Sequence, residues 1–175
     1  MNRNDIRTFA VIGAGNMGSG IAQKIATEGH PVVLVDLDDQ KVARGLGIIR
    51  QTLEQGVQRK VFKPEQAEQI LARVSGTSDW KQLAATDLVI EAVFEDLEVK
   101  RKVFRRLGEV CKKNAILGTN TSSFFVKDVA EVTPHPERVL GLHFFYHPAK
   151  NRLVELIAHE GSDPAAFDAA WAAME

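Results

Sequence analysis

Apolar and polar residues follow one another along the chain in blocks that predict short strands separated by helices. The strands are indicated by brief apolar runs that end at glycine or at a polar residue. The helices are indicated by apolar side chains three or four positions apart, as at Met17, Ile21 and Ile25. The predicted strands cover residues 6–13, 31–36, 86–93, 115–120, 138–145 and 152–157, and the predicted helices cover residues 16–28, 38–59, 63–73, 95–112 and 163–175.

Strands that alternate with helices in this order predict an α/β fold with a mainly parallel sheet covered on both faces. The two helices predicted between Asp38 and Arg73 are longer than one crossover requires, so we expect a helical hairpin inserted after the second strand. Residues 1–160 are expected to form one domain. The last helix begins at Asp163 and Pro164 and shows no stop signal. We therefore expect residues 161–175 to begin a helix that leads into a further, helical domain.

The segment VIGAGNMGSG places Gly13, Gly15 and Gly18 between the first predicted strand and the first predicted helix. In this context the spacing indicates a dinucleotide-binding turn rather than a merely structural glycine turn. Gly13 would allow the tight turn, Gly15 the approach of backbone N–H groups to a pyrophosphate, and Gly18 close helix packing. Asp36 ends the second strand, where a carboxylate would bind the adenosine ribose and repel a 2′-phosphate. We predict a Rossmann-type, doubly wound fold that binds NAD rather than NADP.

The composition is that of a globular protein and argues against several classes of partner. The 175 residues are 45% hydrophobic and 26% charged, with a formal net charge of −1, and no basic stripe points to nucleic acid. The apolar runs are too short to cross a bilayer, and residues 1–7 lack the pattern of a targeting peptide. Cys111, the single cysteine, excludes an intramolecular disulfide and a cysteine-based zinc site. We expect a cytoplasmic protein with no metal, nucleic-acid partner or membrane anchor.

Polar residues follow two of the predicted strands at the edge where ligands of parallel sheets bind. Glu91 ends the third predicted strand, and Glu95 and Lys100 lie beyond it. Glu95 and Lys100 would lie near the nicotinamide ribose, or Glu95 and Asp96 would form an acidic helix N-terminus. Ser122 follows the next strand, in GTNTSS, where its hydroxyl would bind a ligand or cap a helix. The residue types alone leave both choices open.

The stretch GLHFFYHPAKNRLVEL contains two histidines, His143 and His147, and the carboxylate Glu155. His143 lies at the carboxyl end of a predicted strand, and Glu155 lies on the next one. If those strands are neighbours, Glu155 can bond one imidazole nitrogen of His143 and leave the other to take a proton from an alcohol. With a nicotinamide to accept hydride, the pair predicts an alcohol dehydrogenase without a metal, and a structural histidine is the alternative. His147 lies in the loop that follows.

Five segments together resemble a known family: GAGNMGSGIAQ, VDLD, DLVIEAVFEDLEVK, TNTSS, and GLHFF with LVEL. Their order and spacing are similar to those of the N-terminal NAD-binding domain of L-3-hydroxyacyl-CoA dehydrogenases, including 3-hydroxybutyryl-CoA dehydrogenases. The resemblance covers nearly the whole chain. It implies reversible oxidation of an L-3-hydroxyacyl-CoA to the 3-ketoacyl-CoA with NAD, a reaction of fatty-acid β-oxidation, butyrate formation or aromatic-acid breakdown. It also implies a C-terminal helical domain that completes the active site and forms a homodimer.

The resemblance also implies roles for individual residues. His143 matches the catalytic base, Glu155 the carboxylate that pairs with it, and Ser122 the residue that binds the substrate oxygen. The implied cofactor contacts are Gly13, Gly15, Asn16, Met17, Gly18, Asp36, Glu95 and Lys100. The helical hairpin resembles the element that contacts CoA, with Thr52 and Arg59 at the positions of a hydroxyl residue and a basic residue.

One segment departs from the family pattern. Where the family has His-Phe-Phe-Asn-Pro, this chain reads HFFYHP, with Tyr146 in place of the asparagine and the proline one position later. The interval from His143 to Glu155 is kept, so the departure bears on the cofactor contact and the acyl preference, and leaves the acid–base pair intact. Two other functions stay open: a module that binds NAD without turnover on its own, and a dehydrogenase of another small 3-hydroxy acid.

Overall fold

A seven-stranded sheet runs through residues 6–175, the part of the chain that the structure, a computed structural model, describes. The strands are Phe9–Ile12 (β1), Val32–Val35 (β2), Val74–Thr77 (β3), Leu88–Glu91 (β4), Ile116–Thr119 (β5), Val139–Phe144 (β6) and Val154–Ile157 (β7). The α-helices are Asn16–Thr27 (α1), Asp39–Gln58 (α2), Pro64–Ala72 (α3), Leu97–Val110 (α4), Val126–Ala130 (α5) and Pro164–Met174 (α6), with 3-10 turns at Trp80–Leu83 and Pro136–Arg138. The prediction about a targeting peptide falls largely on residues 1–5, outside the described residues.

The strand order is β3-β2-β1-β4-β5-β6-β7, and all neighbouring strands are parallel except β6 and β7. The chain leaves β3 at one edge and enters β4 on the other side of β1. The connection that follows β1 leads to β2 on one side, and the connection that follows β4 leads to β5 on the other side. This divergence opens a crevice at the carboxyl ends of β1 and β4. The predicted Rossmann-type, mainly parallel sheet is confirmed.

Successive residues of the central strands pack on opposite faces of the sheet. In β1, Phe9 and Val11 join a cluster with helices α1, α2, α3 and α6. Ala10 and Ile12 join a second cluster with α4 and α5. Both faces are therefore covered by helices, which is why these strands read as continuous apolar runs rather than as alternating ones.

The predicted helical hairpin follows β2. The helices α2 and α3 pack against each other, and α3 leads directly into β3. The turn between them closes on Gly56, where an added Cβ would lie 2.6 Å from the Phe62 ring. The 20-residue helix α2 begins at the N-cap Asp38, whose carboxylate accepts a hydrogen bond from the Lys41 N–H at 2.8 Å.

Two elements are absent from the sequence prediction. The strand β3 has the sequence VSGT and pairs with β2 alone, at the edge of the sheet. It needs no apolar face, so it carries no strand-like pattern. The helix α5 has five residues, fewer than two turns, which is too short to show a helical period.

The last helix, α6, begins as predicted at Asp163 and Pro164. The Asp163 carboxylate accepts a hydrogen bond from the Ala165 N–H at 2.9 Å. Ala166, Ala169 and Ala170 of this helix lie in the first core cluster, so α6 packs on the sheet. The division at residue 160 and the domain expected after it stay predictions. Within residues 6–175, each helix is too short or too polar to span a bilayer.

Asp87 joins the central strands at the edge opposite the crevice. One carboxylate oxygen accepts hydrogen bonds from the N–H of Arg7 at 2.8 Å, the N–H of Thr8 at 2.9 Å and the hydroxyl of Thr8 at 2.8 Å. The other oxygen pairs with Lys112, which follows α4. Burial acts to raise the pKa of Asp87, but these hydrogen bonds prevail and lower it to about 2. The ionised carboxylate therefore ties β1, β4 and α4 together.

We expect Asp87→Asn to lower the free energy of unfolding at neutral pH by about 2 kcal/mol, the value of a pKa depression from 3.8 to about 2. Because the folded-state pKa is the lower one, this contribution is complete above about pH 4 and is lost as the pH falls towards about 2. Urea unfolding would compare the variant with Asp168→Asn, which changes an exposed aspartate of α6. Equal stability of the two variants would contradict the role given to Asp87.

Candidate active site

The turn between β1 and α1 is shaped by three glycines with different surroundings. Gly13 has a φ of +104°, and an added Cβ would lie 2.6 Å from the Ala92 carbonyl oxygen. An added Cβ at Gly18 would lie 1.7 Å from the Gly13 carbonyl oxygen. At Gly15 it would meet nothing within 4 Å. The fold therefore requires the first and last glycine, whereas the middle one faces open space.

The open space before Gly15 fits a pyrophosphate. The helix α1 starts at Asn16 with Gly15 as its N-cap, so no side chain satisfies the first N–H groups of the helix. Asn16 is exposed, and Met17 packs partly against the first core cluster. Free N–H groups at the positive end of a helix bind phosphate groups. The residues of this turn therefore fit a dinucleotide, as predicted from the sequence.

Asp36 lies beside the glycine turn, at the end of β2. Its two carboxylate oxygens accept hydrogen bonds from the Ala14 N–H and the Leu37 N–H, each at 2.7 Å. These bonds hold the carboxylate in place, and each oxygen keeps a lone pair for a ribose hydroxyl. The position is the one at which a dinucleotide fold presents its acid to the adenosine ribose.

Glu95 connects the start of α4 to the loop that carries Ser122. One oxygen, Oε1, accepts hydrogen bonds from the Thr121 hydroxyl, the Ser122 N–H at 3.1 Å and the Ser123 N–H at 3.2 Å. Burial acts to raise the pKa of Glu95, but the hydrogen bonds from Thr121 and Lys100 prevail and lower it. The carboxylate is therefore ionised, and its side chain is 38% exposed.

Lys100 is buried between two carboxylates. Its side chain is 0% exposed, with Nζ 2.8 Å from Oε1 of Glu91 and 3.1 Å from Oε2 of Glu95. In this structure Lys100 supports Glu95, and the cofactor contact expected of Lys100 stays a prediction.

His143 and Glu155 are brought together by the last two strands. The strands β6 and β7 are antiparallel, and the two residues lie directly opposite each other. Nδ1 of His143 lies 2.9 Å from Oε2 of Glu155. Because a carboxylate only accepts hydrogen bonds, Nδ1 carries the proton, and Nε2 of the neutral ring is left as an acceptor. The His143 side chain is 20% exposed, so the ring is accessible.

Asn120, which is not among the predicted site residues, links the Ser122 loop to the strand of His143. Its Oδ1 accepts a hydrogen bond from the Phe144 N–H at 2.7 Å, and its own N–H donates to the Glu91 carbonyl at 2.8 Å. The two bonds align the end of β5 with the ends of β4 and β6. An asparagine after a strand is also typical of an ordinary turn, so the sequence holds no signal that would single it out.

The HFFYHP segment forms a turn that packs on α1. The Pro148 ring lies beside Gly20, where an added Cβ would be 2.8 Å from it. Nδ1 of His147 accepts a hydrogen bond from the Ala149 N–H at 3.3 Å, and burial lowers the pKa of His147. His147 is thus a neutral turn residue, whereas Tyr146 lies at the surface with 73% exposure.

The two residues expected to contact CoA lie on α2 and at its end. The Thr52 hydroxyl donates to the Ile48 carbonyl of the same helix at 2.9 Å. Arg59 is the exposed C-cap residue of α2. The Thr52 hydrogen bond lies within α2 and involves neither His143 nor Ser122. The CoA contacts expected of Thr52 and Arg59 stay a prediction.

The glycine turn, Asp36 and the His143–Glu155 pair together define a dinucleotide-binding domain of the dehydrogenase type. Residues 8–175 match the family described as 3-hydroxyacyl-CoA dehydrogenase, NAD binding domain. The chain therefore belongs to this family, and NAD is its cofactor.

Relatives share both the sequence and the fold. The chain is 42% identical over 154 residues to the 3-hydroxyadipyl-CoA dehydrogenase of Escherichia coli (strain K12), covering 88% of this chain and 32% of that protein. It is 38% identical over 160 residues to the 3-hydroxybutyryl-CoA dehydrogenase of Clostridioides difficile, covering 91% and 57%. A crystal structure of (S)-3-hydroxybutyryl-CoA dehydrogenase from Ralstonia eutropha superposes with a TM-score of 0.94 at 34% identity, covering 97% and 60%. The chain thus spans less than two thirds of each of these relatives.

We expect Gly15→Ala to lower the affinity for NADH at least tenfold while the melting temperature falls by only a few degrees, because alanine is a poorer N-cap residue than glycine. The added methyl meets no atom of the folded chain but projects into the space that fits the pyrophosphate. NADH fluorescence titration and thermal unfolding would measure the two effects. The matched control is Gly47→Ala on α2, where an added Cβ also meets nothing within 4 Å. Equal NADH affinity of both variants would contradict this placement of the pyrophosphate.

Proposed function

We propose that the protein containing this chain oxidises an L-3-hydroxyacyl-CoA reversibly to the 3-ketoacyl-CoA, with NAD as hydride acceptor. The observation that supports it best is the 2.9 Å contact between His143 Nδ1 and Glu155 Oε2, close to the carboxyl edge of the sheet. Two relatives, a 3-hydroxyadipyl-CoA dehydrogenase and a 3-hydroxybutyryl-CoA dehydrogenase, support an acyl-CoA substrate.

His143 would act as the general base. Its free Nε2 takes the proton of the 3-hydroxyl group as that oxygen becomes a ketone, and returns the proton in the reverse direction. Glu155 accepts the Nδ1 proton in a hydrogen bond, which fixes the tautomer and stabilises the imidazolium that forms. NAD, when bound at the glycine turn, supplies the acceptor for the hydride.

Ser122 would orient the substrate oxygen. The residue is exposed, and its hydroxyl lies 3.4 Å from the Ser123 hydroxyl, a contact that a stronger acceptor can replace. Its backbone is held by Glu95, so the hydroxyl projects from a fixed position. Holding the alcohol oxygen near Nε2 of His143 converts proton transfer into an intramolecular step, which is a large part of such catalysis.

The CoA moiety would lie along the helical hairpin, and the cationic Arg59 at the exposed end of α2 suits a phosphate group. Thr52 lies on the same helix. A cytoplasmic location and a homodimeric parent protein belong to this proposal as well, with the family resemblance as their support.

The second candidate is an NAD-binding module that does not turn over substrate by itself. The length of the relatives favours it for the isolated chain, because the chain covers 32% and 57% of two of them. Both candidates agree on NAD binding and differ only in the turnover expected of residues 1–175.

We expect His143→Ala in the full-length protein to lower kcat for acetoacetyl-CoA reduction by at least about 100-fold, because general-base catalysis contributes on the order of 10²–10⁴. NADH affinity should not change. His135→Ala is the control, since His135 lies 3.4 Å from Glu137, before the amino end of β6 and away from the carboxyl ends of the strands. Retained turnover in His143→Ala would refute the assignment of the base.

The same NADH absorbance assay would separate the alternatives. Faster reduction of acetoacetate than of acetoacetyl-CoA by the full-length protein would favour a free 3-hydroxy acid as substrate. Turnover by residues 1–175 alone would refute the second candidate.

A further inference from the structure

Glu91 is a buried carboxylate at the centre of the sheet that the proposed mechanism does not use. It ends β4 and is 0% exposed. Its Oε1 accepts hydrogen bonds from the Val93 N–H and from Lys100 Nζ, both at 2.8 Å, and its Oε2 accepts one from the Thr119 hydroxyl at 2.7 Å. Burying a charge is unfavourable unless it is paired and hydrogen-bonded, and Glu91 meets both conditions.

Lys100 extends this pair towards the crevice. Its buried Nζ contacts a second carboxylate oxygen, Oε2 of Glu95, at 3.1 Å. An ion pair that only attached α4 to β4 would need one carboxylate. Here the ammonium is shared between a carboxylate with no exposure and one that is 38% exposed. The pair therefore determines where the Glu95 side chain lies.

Glu95 in turn determines where the Ser122 loop lies. The N–H groups of Ser122 and Ser123 donate to its Oε1 at 3.1 Å and 3.2 Å, together with the Thr121 hydroxyl. An unbroken path of hydrogen bonds and ion pairs thus runs from the end of the central strand to the proposed substrate-binding serine. The three hydrogen bonds to this loop are all accepted by one oxygen, Oε1 of Glu95. A shift of Glu95 would therefore move the whole loop.

We propose that Glu91 is a positioning residue for the dehydrogenase reaction: through Lys100 it fixes Glu95, which sets the position of Ser122 relative to His143. The inference rests on the proposed function for its effect on turnover. Its structural part, the dependence of the Ser122 loop on Glu91, does not depend on the identity of the substrate.

The same strand and helix supply a matched control. Asp87 precedes β4 and pairs with Lys112 after α4, just as Glu91 ends β4 and pairs with Lys100 of α4. The Asp87 pair lies at the opposite edge of the sheet, away from the Ser122 loop. Asp87→Asn therefore weakens the packing of the same two elements without touching the path to Glu95.

Glu91→Gln in the full-length protein is expected to lower kcat about 10- to 100-fold per folded enzyme, since small misplacements of reacting groups have effects of that size. The KM for acetoacetyl-CoA should stay within about twofold, because the variant loses stabilisation of the transition state and keeps the binding of the substrate in its ground state. Asp87→Asn should lower stability and leave kcat unchanged. An unchanged kcat in Glu91→Gln, or an equal loss in both variants, would overturn the inference.

A double-mutant comparison tests whether Glu91 acts through Glu95. If it does, Glu91→Gln combined with Glu95→Gln should lower kcat no further than Glu95→Gln alone. If the losses of kcat in the two single variants multiply in the double variant, Glu91 acts by another route.

Should Glu91→Gln not fold, Thr119→Val removes one hydrogen bond from Glu91 and is expected to lower kcat about fivefold. An unchanged kcat there would also overturn the inference.

Amide hydrogen exchange provides a measurement that needs no turnover. In Glu91→Gln, exchange of the Ser122 and Ser123 amides should accelerate at least about tenfold, and in Asp87→Asn it should match the wild type. If the wild-type protein reduces neither acetoacetyl-CoA nor longer 3-ketoacyl-CoA substrates, the proposed function is wrong, and this exchange alone decides the structural part. Unchanged exchange in Glu91→Gln would then refute it.

Discussion

The antiparallel register of β6 and β7 is the constraint on which the proposed chemistry depends. It places His143 directly opposite Glu155, so the imidazole meets its carboxylate within one pair of strands. Side chains alternate between the two faces of a sheet. A shift of the β6–β7 pairing by one residue would therefore turn Glu155 to the other face and leave His143 without its carboxylate. Because β6 is also parallel to β5, its carboxyl end opens at the same edge as the glycine turn. A parallel sheet thus provides the cofactor edge, and one antiparallel strand returns with the carboxylate.

The two ends of the central strand β4 carry ion pairs with different proposed roles, one in stability and one in function. At the amino end, Asp87 holds β1 through the N–H groups of Arg7 and Thr8 and holds α4 through Lys112. At the carboxyl end, Glu91 and Lys100 form a pair that continues to Glu95 and the Ser122 loop. Both ends use a carboxylate and a lysine, but only the second pair borders the crevice. A stable sheet and a correctly placed loop can therefore change independently.

The sequence predicts the features that depend on neighbours along the chain. The strands, the hairpin, the glycine turn and the N-cap of α6 all follow from short-range pattern and turn chemistry. It does not predict β3, because an edge strand with the sequence VSGT needs no apolar face. It does not predict the ion pair of Lys100 or the hydrogen bond of Asn120, since their partners lie on other elements: Glu91 on β4 and Phe144 on β6. Such contacts depend on strand order and register, and no local pattern carries that information.

The protonation state of the His143 ring tests the central claim most directly. If Glu155 orients His143 as a base, nitrogen NMR of histidine-labelled protein should show Nδ1 protonated and Nε2 unprotonated when the ring is neutral. Glu155→Gln should increase the share of the other tautomer. A wild-type ring that carries its proton on Nε2, with the same tautomer in Glu155→Gln, would contradict the account, because the nitrogen proposed to accept the substrate proton would already be occupied.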